Sequence, residues 1–165
     1  MFEINRIIDT DSYKASHFLQ YPPNTTLVHS YLESRGSERN YDETVFFGLQ
    51  YLLKRYFVKP FTMADVLEAN EVITAHGEPF NLAGWTRLIE KHDGKLPLRV
   101  RAVAEGSIVP TRNVLMTVEN TDDEFFWLTG WFESQFMRIW YPITVAGCCA
   151  TSSASAPRWS SCCRI

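Results

Sequence analysis

Glu124-Phe125-Phe126-Trp127-Leu128-Thr129-Gly130-Trp131-Phe132-Glu133-Ser134-Gln135-Phe136-Met137-Arg138-Ile139-Trp140 is the stretch on which the fold turns. Thr121 or Asp122 stands ahead of it as a helix cap, and Pro142 behind it as a stop. The run reads as one final helix from about Glu124 to Trp140. Phe125, Phe126, Trp127, Leu128, Trp131, Phe132, Phe136, Ile139 and Trp140 make it apolar on most of its surface. A helix that apolar is buried or covered by a partner. The expectation is that Trp127, Trp131, Phe132 and Trp140 pack against elements outside this chain. Left uncovered, such a patch would make the chain poorly soluble or dimeric.

Upstream, strands and helices mix. Leu27 to Glu33 has the β-branched and aromatic content of a strand, and Arg35 to Asn40 then reads as a polar loop. Val45 to Val58 reads as a helix, with Val45, Leu49, Leu52, Leu53, Tyr56 and Phe57 on one face. Lys54, Arg55 and Lys59 suit its negative C-terminal pole, and Pro60 stops it. Thr62 and Asp65 have capping-box spacing and open a second helix, with Val66, Ala69 and Ile73 inward and Gly77 at its close. Asn81 can cap a third, with Trp85, Leu88 and Ile89 inward and Asp93-Gly94 ending it. Leu96 to Val103 alternates as a half-buried strand, and Ser107–Val109 and Asn113–Glu119 read as two more. The fold class is α+β.

Bulk composition narrows the function. The chain has 165 residues, 45% of them hydrophobic, which suffices for one domain with a real core. A net charge of −3, with no basic run, argues against binding nucleic acid through phosphate contacts. No apolar stretch reaches the roughly 20 residues that span a bilayer, and Met1-Phe2-Glu3-Ile4-Asn5 lacks the pattern of a secretion signal. The expected location is the cytoplasm, with no membrane partner.

The chain changes character after Ala146. All four cysteines fall there, as the adjacent pairs Cys148-Cys149 and Cys162-Cys163, a poor spacing for zinc. Gly147 to Ile165 holds no acidic residue and no period. Residues 1–146 are therefore expected to form one domain and 147–165 an unstructured tail. A frameshift or premature truncation after Ala146 would produce such a tail, as would a flexible terminus.

The common catalytic signatures are absent. The chain has no G-x-x-x-x-G-K-[ST] loop, no G-x-G-x-x-G, no G-x-S-x-G and no H-E-x-x-H. His29, His76 and His92 read as structural or solvated. The dense polar block is Asp9-Thr10-Asp11-Ser12-Tyr13-Lys14, continuing through His17 and Gln20 to Tyr21-Pro22-Pro23-Asn24. It has no helical or strand period. It reads either as a segment kept for what it touches, or as a helix start capped by Asp9, Thr10 or Asp11 with a solvated face beyond.

This block resembles the opening of the nicotinamide phosphoribosyltransferase family. Further blocks agree in order: Tyr41 to Tyr51; Phe80-Asn81 with Gly84-Trp85; Asp93-Gly94-x-Leu96-Pro97; Ala102 to Gly106; Asn113 to Asp122; Trp127-Leu128-Thr129; and Trp140 to Ala146. The resemblance covers residues 4–146 and implies the N-terminal mixed α/β domain of a type II phosphoribosyltransferase, with the catalytic barrel absent. It implies a pentosyltransferase of NAD salvage that joins nicotinamide to phosphoribosyl pyrophosphate, giving nicotinamide mononucleotide and pyrophosphate. It implies Mg2+ bound with the phosphoribosyl pyrophosphate through ligands not in this chain, and a cytosolic homodimer with sites at the subunit interface.

By the same resemblance three residues are candidates for substrate binding, and none for catalysis. Tyr13 matches a tyrosine that reaches across the dimer to stack on the pyridine ring. Asp11 matches the acid beside it; a carboxylate there accepts from a carboxamide and repels a carboxylate. Arg35 matches an arginine near the phosphate of the partner's site, although the loop from Arg35 to Tyr41 looks short for the family, and a surface ion pair would explain it equally. The alternatives are a non-catalytic dimerisation module, and part of a nicotinate phosphoribosyltransferase, which Asp11 disfavours. The frameshift reading predicts that a neighbouring frame of the source DNA continues the apolar pattern past codon 146; sequencing that DNA and finding no such frame refutes it.

Overall fold

The computed structural model describes residues 4–35 and 42–153. An N-terminal 3-10 helix, Ser12–Leu19, precedes β1 (His29–Glu33) and β2 (Glu43–Val45). Three helices follow: α1 (Leu49–Tyr56), α2 (Met63–Ala75) and α3 (Leu82–His92). Then come β3 (Leu98–Ala102), β4 (Ile108–Pro110) and β5 (Val114–Asn120). The chain ends in α4 (Leu128–Trp131), α5 (Glu133–Met137) and α6 (Trp140–Ser153). The mixed α+β class holds, and no closed barrel stands among the described residues.

Sheet order is β1-β5-β3, antiparallel throughout, with β2 and β4 forming a separate antiparallel pair. His29 lies opposite Glu119 and Leu32 opposite Met116; the register then slips, so Glu33 faces Val114. Leu32, Met116 and Val118 are buried on the face where α4 lies against β1 and β5. On the other face Arg99 and Arg101 donate to the same Glu119 oxygen, at 2.9 and 3.1 Å.

Local signals placed α2 and α3. Thr62 and Asp65 make the reciprocal capping box, and Asn81 accepts from the Gly84 N–H at 3.0 Å. Gly94 ends α3 at φ +73°, where a Cβ would lie 2.0 Å from the Phe61 carbonyl oxygen, so only glycine fits.

Four sequence expectations fail. Val45 belongs to β2, paired with Ile108, and not to the first helix. Gly48, at φ +98°, turns the chain between strand and helix, and the i, i+4 spacing of Val45 with Leu49 is coincidental. The run from Glu124 to Trp140 is not one helix. It is a short 3-10 turn, Asp123–Phe125, then α4 and α5, with the backbone relaxed at Phe132 (φ −90°, ψ 5°). Pro142 does not stop the run either; it sits in the first turn of α6, where an N–H would have no intrahelical partner.

The fourth failure concerns what covers the aromatic rings. Trp127, Trp131 and Phe132 are buried within this chain, and Trp140 is half-buried. Trp85 of α3 stands among them, with ring centroids 5.2 Å from Trp127, 5.5 Å from Trp131 and 6.2 Å from Phe132, all edge-on. Phe61 closes the cluster at 5.5 Å. Such pairs add about 0.5–1.5 kcal/mol each beyond area burial. No external element is needed for these three rings.

The backbone is helical through Gly147 to Ser153, so the change in composition after Ala146 does not coincide with a helix end. The loop expected over residues 36–40 and the tail beyond Ser153, with Cys162 and Cys163, lie outside the described residues.

Asp122 ties the turn after β5 to α3. Its carboxylate accepts from Lys91 at 2.7 Å and meets His92 at 2.8 Å. The Lys91 hydrogen bond, opposed by burial and helped by His92 and the Glu124 N–H, lowers its pKa from 3.8 to about 2. A depressed carboxyl stabilises the fold fully above its ordinary pKa and loses that contribution as pH falls toward the folded value. Asp122→Asn should therefore be less stable than the native chain at neutral pH, with the gap closing between about pH 4 and pH 2. Denaturant titrations across that range test it, and a pH-independent gap contradicts it.

Candidate functional site

Residues 5–14 are held by side chains and not by a strand ladder. Arg6 is buried and donates to the carbonyls of Tyr56, Lys59 and Pro60 at 2.8, 2.5 and 3.0 Å, beyond the C-terminus of α1. A fixed cation suits that end of a helix, where carbonyls lack intrahelical partners. The Trp131 indole N–H donates to the Ile7 carbonyl at 3.1 Å. The Gln135 amide donates to the carbonyls of Arg6 and Asp9. The two oxygens of Asp9 take the two arms of the Arg138 guanidinium. Thr10 donates to the Trp131 carbonyl at 2.9 Å.

These anchors bring the segment to Asp11 and Tyr13. Asp11 occupies the N-cap position of the 3-10 helix, but its carboxylate makes no cap hydrogen bond. It accepts instead from the Ser134 hydroxyl of α5 at 2.6 Å. The Tyr13 hydroxyl lies 3.4 Å from the same oxygen. Tyr13 is 54% exposed, with its ring centroid 5.3 Å from that of His17. The result is an open aromatic face beside a half-exposed carboxylate.

Lys14 lies beneath this pair. It is 2% exposed, and its Nζ reaches Glu133 at 2.6 Å and sits 5.0 Å over the Tyr13 ring. Burial is the largest influence and works against its charge, but the Glu133 hydrogen bond, the Glu133 charge and Tyr13 together outweigh it, and the pKa rises above the ordinary lysine value. The ammonium stays charged and fixes the backbone between Tyr13 and Ala15.

Arg35 is exposed two residues beyond β1. The Arg112 N–H holds the neighbouring Ser34 carbonyl at 2.6 Å. The structure brings Asp11 and Tyr13 together, and among the described residues neither makes a hydrogen bond or ion pair with Arg35.

Sequence reasoning missed Glu133, Ser134 and Gln135. The signal was available: three consecutive polar residues inside an apolar run. Counting apolar residues over the whole run hid it. Each of the three holds part of the polar N-terminal block.

No group of three or more His, Cys, Asp or Glu that could hold a metal ion stands among the described residues. No helix among them is long and apolar enough to cross a membrane.

Comparison with known proteins bears on this geometry. The family model for the N-terminal domain of nicotinamide phosphoribosyltransferase matches residues 5–100. A nicotinamide phosphoribosyltransferase of Xanthomonas campestris pv. campestris is 53% identical over 142 residues, covering 86% of this chain and 30% of that protein. One from Acinetobacter baylyi is 32% identical, covering 88% of this chain and 32% of its own length. The chain thus spans about a third of these relatives. The crystal structure of human nicotinic acid phosphoribosyltransferase superposes with a TM-score of 0.64 at 20% identity, over 90% of this chain and 29% of the human one. At that identity the likeness establishes the fold alone.

Lys14→Met should cost about 1–2 kcal/mol, since it removes a charged hydrogen bond but leaves Glu133 able to reach water. Urea denaturation of the 165-residue chain measures this, and an unchanged midpoint refutes the anchoring role.

Proposed function

We propose that this chain, which belongs to the nicotinamide phosphoribosyltransferase family, supplies the pyridine-gripping part of an enzyme that makes nicotinamide mononucleotide and pyrophosphate. The observation that carries this is the pairing of an exposed Tyr13 ring with the half-exposed Asp11 carboxylate. Buried anchors hold both.

In this reading the Tyr13 ring stacks on the electron-poor pyridine, leaving its hydroxyl to water and to Asp11. Asp11 accepts a carboxamide N–H and repels the carboxylate of nicotinate. The exposed Arg35 guanidinium, whose fork fits phosphate oxygens, serves the phosphate end. In this reading the three residues act across a homodimer, in the partner's site.

Transfer itself builds oxocarbenium-like charge on the ribose and demands phosphate clamps held in place. Mg2+, carried with phosphoribosyl pyrophosphate, would neutralise charge on the departing pyrophosphate. The described residues include no cluster to hold it, so no ligand is assigned in this chain. Binding and discrimination are what these residues contribute. The 165-residue chain alone should give no measurable turnover.

The test is a chimera in which residues 4–146 replace the matching third of the Xanthomonas campestris relative. It should form nicotinamide mononucleotide. Tyr13→Ala should raise the KM for nicotinamide by about ten- to a hundredfold, and Asp11→Asn should shrink the preference for amide over acid. A chimera that prefers nicotinate, or an Asp11→Asn variant with an unchanged amide-to-acid ratio, overturns the reading.

A further inference from the structure

We propose that Ser134 is a positioning residue: it holds the Asp11 carboxylate by Oδ2 so that Oδ1 stays open to the carboxamide N–H of the pyridine ligand. This rests on the reading of Asp11 given above.

Every contact that the described residues make with this carboxylate falls on one oxygen. Ser134 Oγ lies 2.6 Å from Oδ2, the Tyr13 hydroxyl 3.4 Å and the Lys14 ammonium 3.9 Å. Oδ1 takes none of them, in a side chain 51% exposed. A carboxylate has about four acceptor sites on its two oxygens. Here the protein loads one oxygen and leaves the other free.

The direction of the Ser134 hydroxyl follows from its neighbours. Thr10 commits its own proton to the Trp131 carbonyl at 2.9 Å, leaving none for Ser134, 3.4 Å away. The Asp11 backbone N–H points at Ser134 Oγ from 3.3 Å and occupies it as an acceptor. The one Ser134 proton then has two acceptors in reach, Thr10 Oγ1 at 3.4 Å and Asp11 Oδ2 at 2.6 Å, and it goes to the nearer carboxylate oxygen. Ser134 grips Asp11 twice, by main chain and by side chain, from an element that also carries Glu133 and Gln135.

This matters for selectivity. A freely rotating carboxylate offers either oxygen at an entropic cost each time a ligand is ordered. A carboxylate fixed by one oxygen offers a single anionic acceptor in a set place, which a carboxamide N–H satisfies and a second carboxylate does not. Exposure and the paired tyrosine alone do not set that orientation; the Ser134 hydroxyl does.

The experiment uses the same chimera with Ser134→Ala, Ser134→Thr, Asp11→Asn and the Ser134→Ala/Asp11→Asn double variant. Ser134→Ala should raise the KM for nicotinamide about tenfold and narrow the preference over nicotinate. The kcat, the KM for phosphoribosyl pyrophosphate and the Tm should stay near those of the parent. Ser134→Thr, which keeps the hydroxyl, should restore the nicotinamide KM. The double variant should behave as Asp11→Asn does. If Asp11→Asn weakens nicotinamide binding and Ser134→Ala does not, the Ser134 role is wrong while the Asp11 reading stands. If neither changes it, both fall. If Ser134→Ala lowers the Tm and moves both substrates' constants together, or does not fold, the residue is structural and the proposal is overturned.

Discussion

Trp131 is the side chain on which the rest of this structure depends. Its ring is buried against Trp85 and Trp127, while its indole N–H holds the Ile7 carbonyl at 3.1 Å. One residue therefore belongs both to the aromatic core and to the attachment of the N-terminal segment. Gln135, four residues on, repeats the attachment at Arg6 and Asp9. The two lie on either side of the break at Phe132, yet both reach the same segment, so side chains from α4 and α5 together hold the incoming backbone. Without them residues 5–10 would leave several buried main-chain groups unpaired, each at a cost of about 1–3 kcal/mol.

The arrangement makes a rigid base with an open top. Below, Arg6, Asp9, Lys14 and the Gln135 amide nitrogen are committed to fixed partners. Above, Tyr13 and Asp11 keep an aromatic face and an unoccupied oxygen. Binding groups work best when their own positions are set before the ligand arrives, because less freedom is lost on binding. The lack of an amphipathic period fits this division: the polar side chains of residues 6–14 are divided between particular contacts below and the open pair above.

Much of this was legible in the sequence where the signal is local. The Thr62–Asp65 box, the Asn81 cap and the glycines after α2 and α3 act within a few residues, and α2 and α3 follow from them. Strand β5 and its pairing with β1 and β3 fit their alternating residues. What failed was non-local. Val45 has the spacing of the α1 stripe, but its pairing partner Ile108 lies far along the chain. The aromatic run could be read as needing an outside partner only because Trp85 and Phe61, which cover it, are not adjacent in sequence. The polar triplet Glu133-Ser134-Gln135 had meaning only once residues 6–14 lay beside it. Asp11 and Tyr13 were singled out through resemblance; the oxygen-by-oxygen allocation at Asp11 depends on Ser134, which is distant in sequence.

The most direct test of the account is a crystal structure of residues 4–146 within an intact phosphoribosyltransferase, with nicotinamide bound. The account predicts the pyridine ring stacked on Tyr13 and the carboxamide nitrogen about 3 Å from Asp11 Oδ1, while Oδ2 remains on Ser134. A ligand bound elsewhere, with the Tyr13 ring turned into the interior of its own subunit, would contradict it.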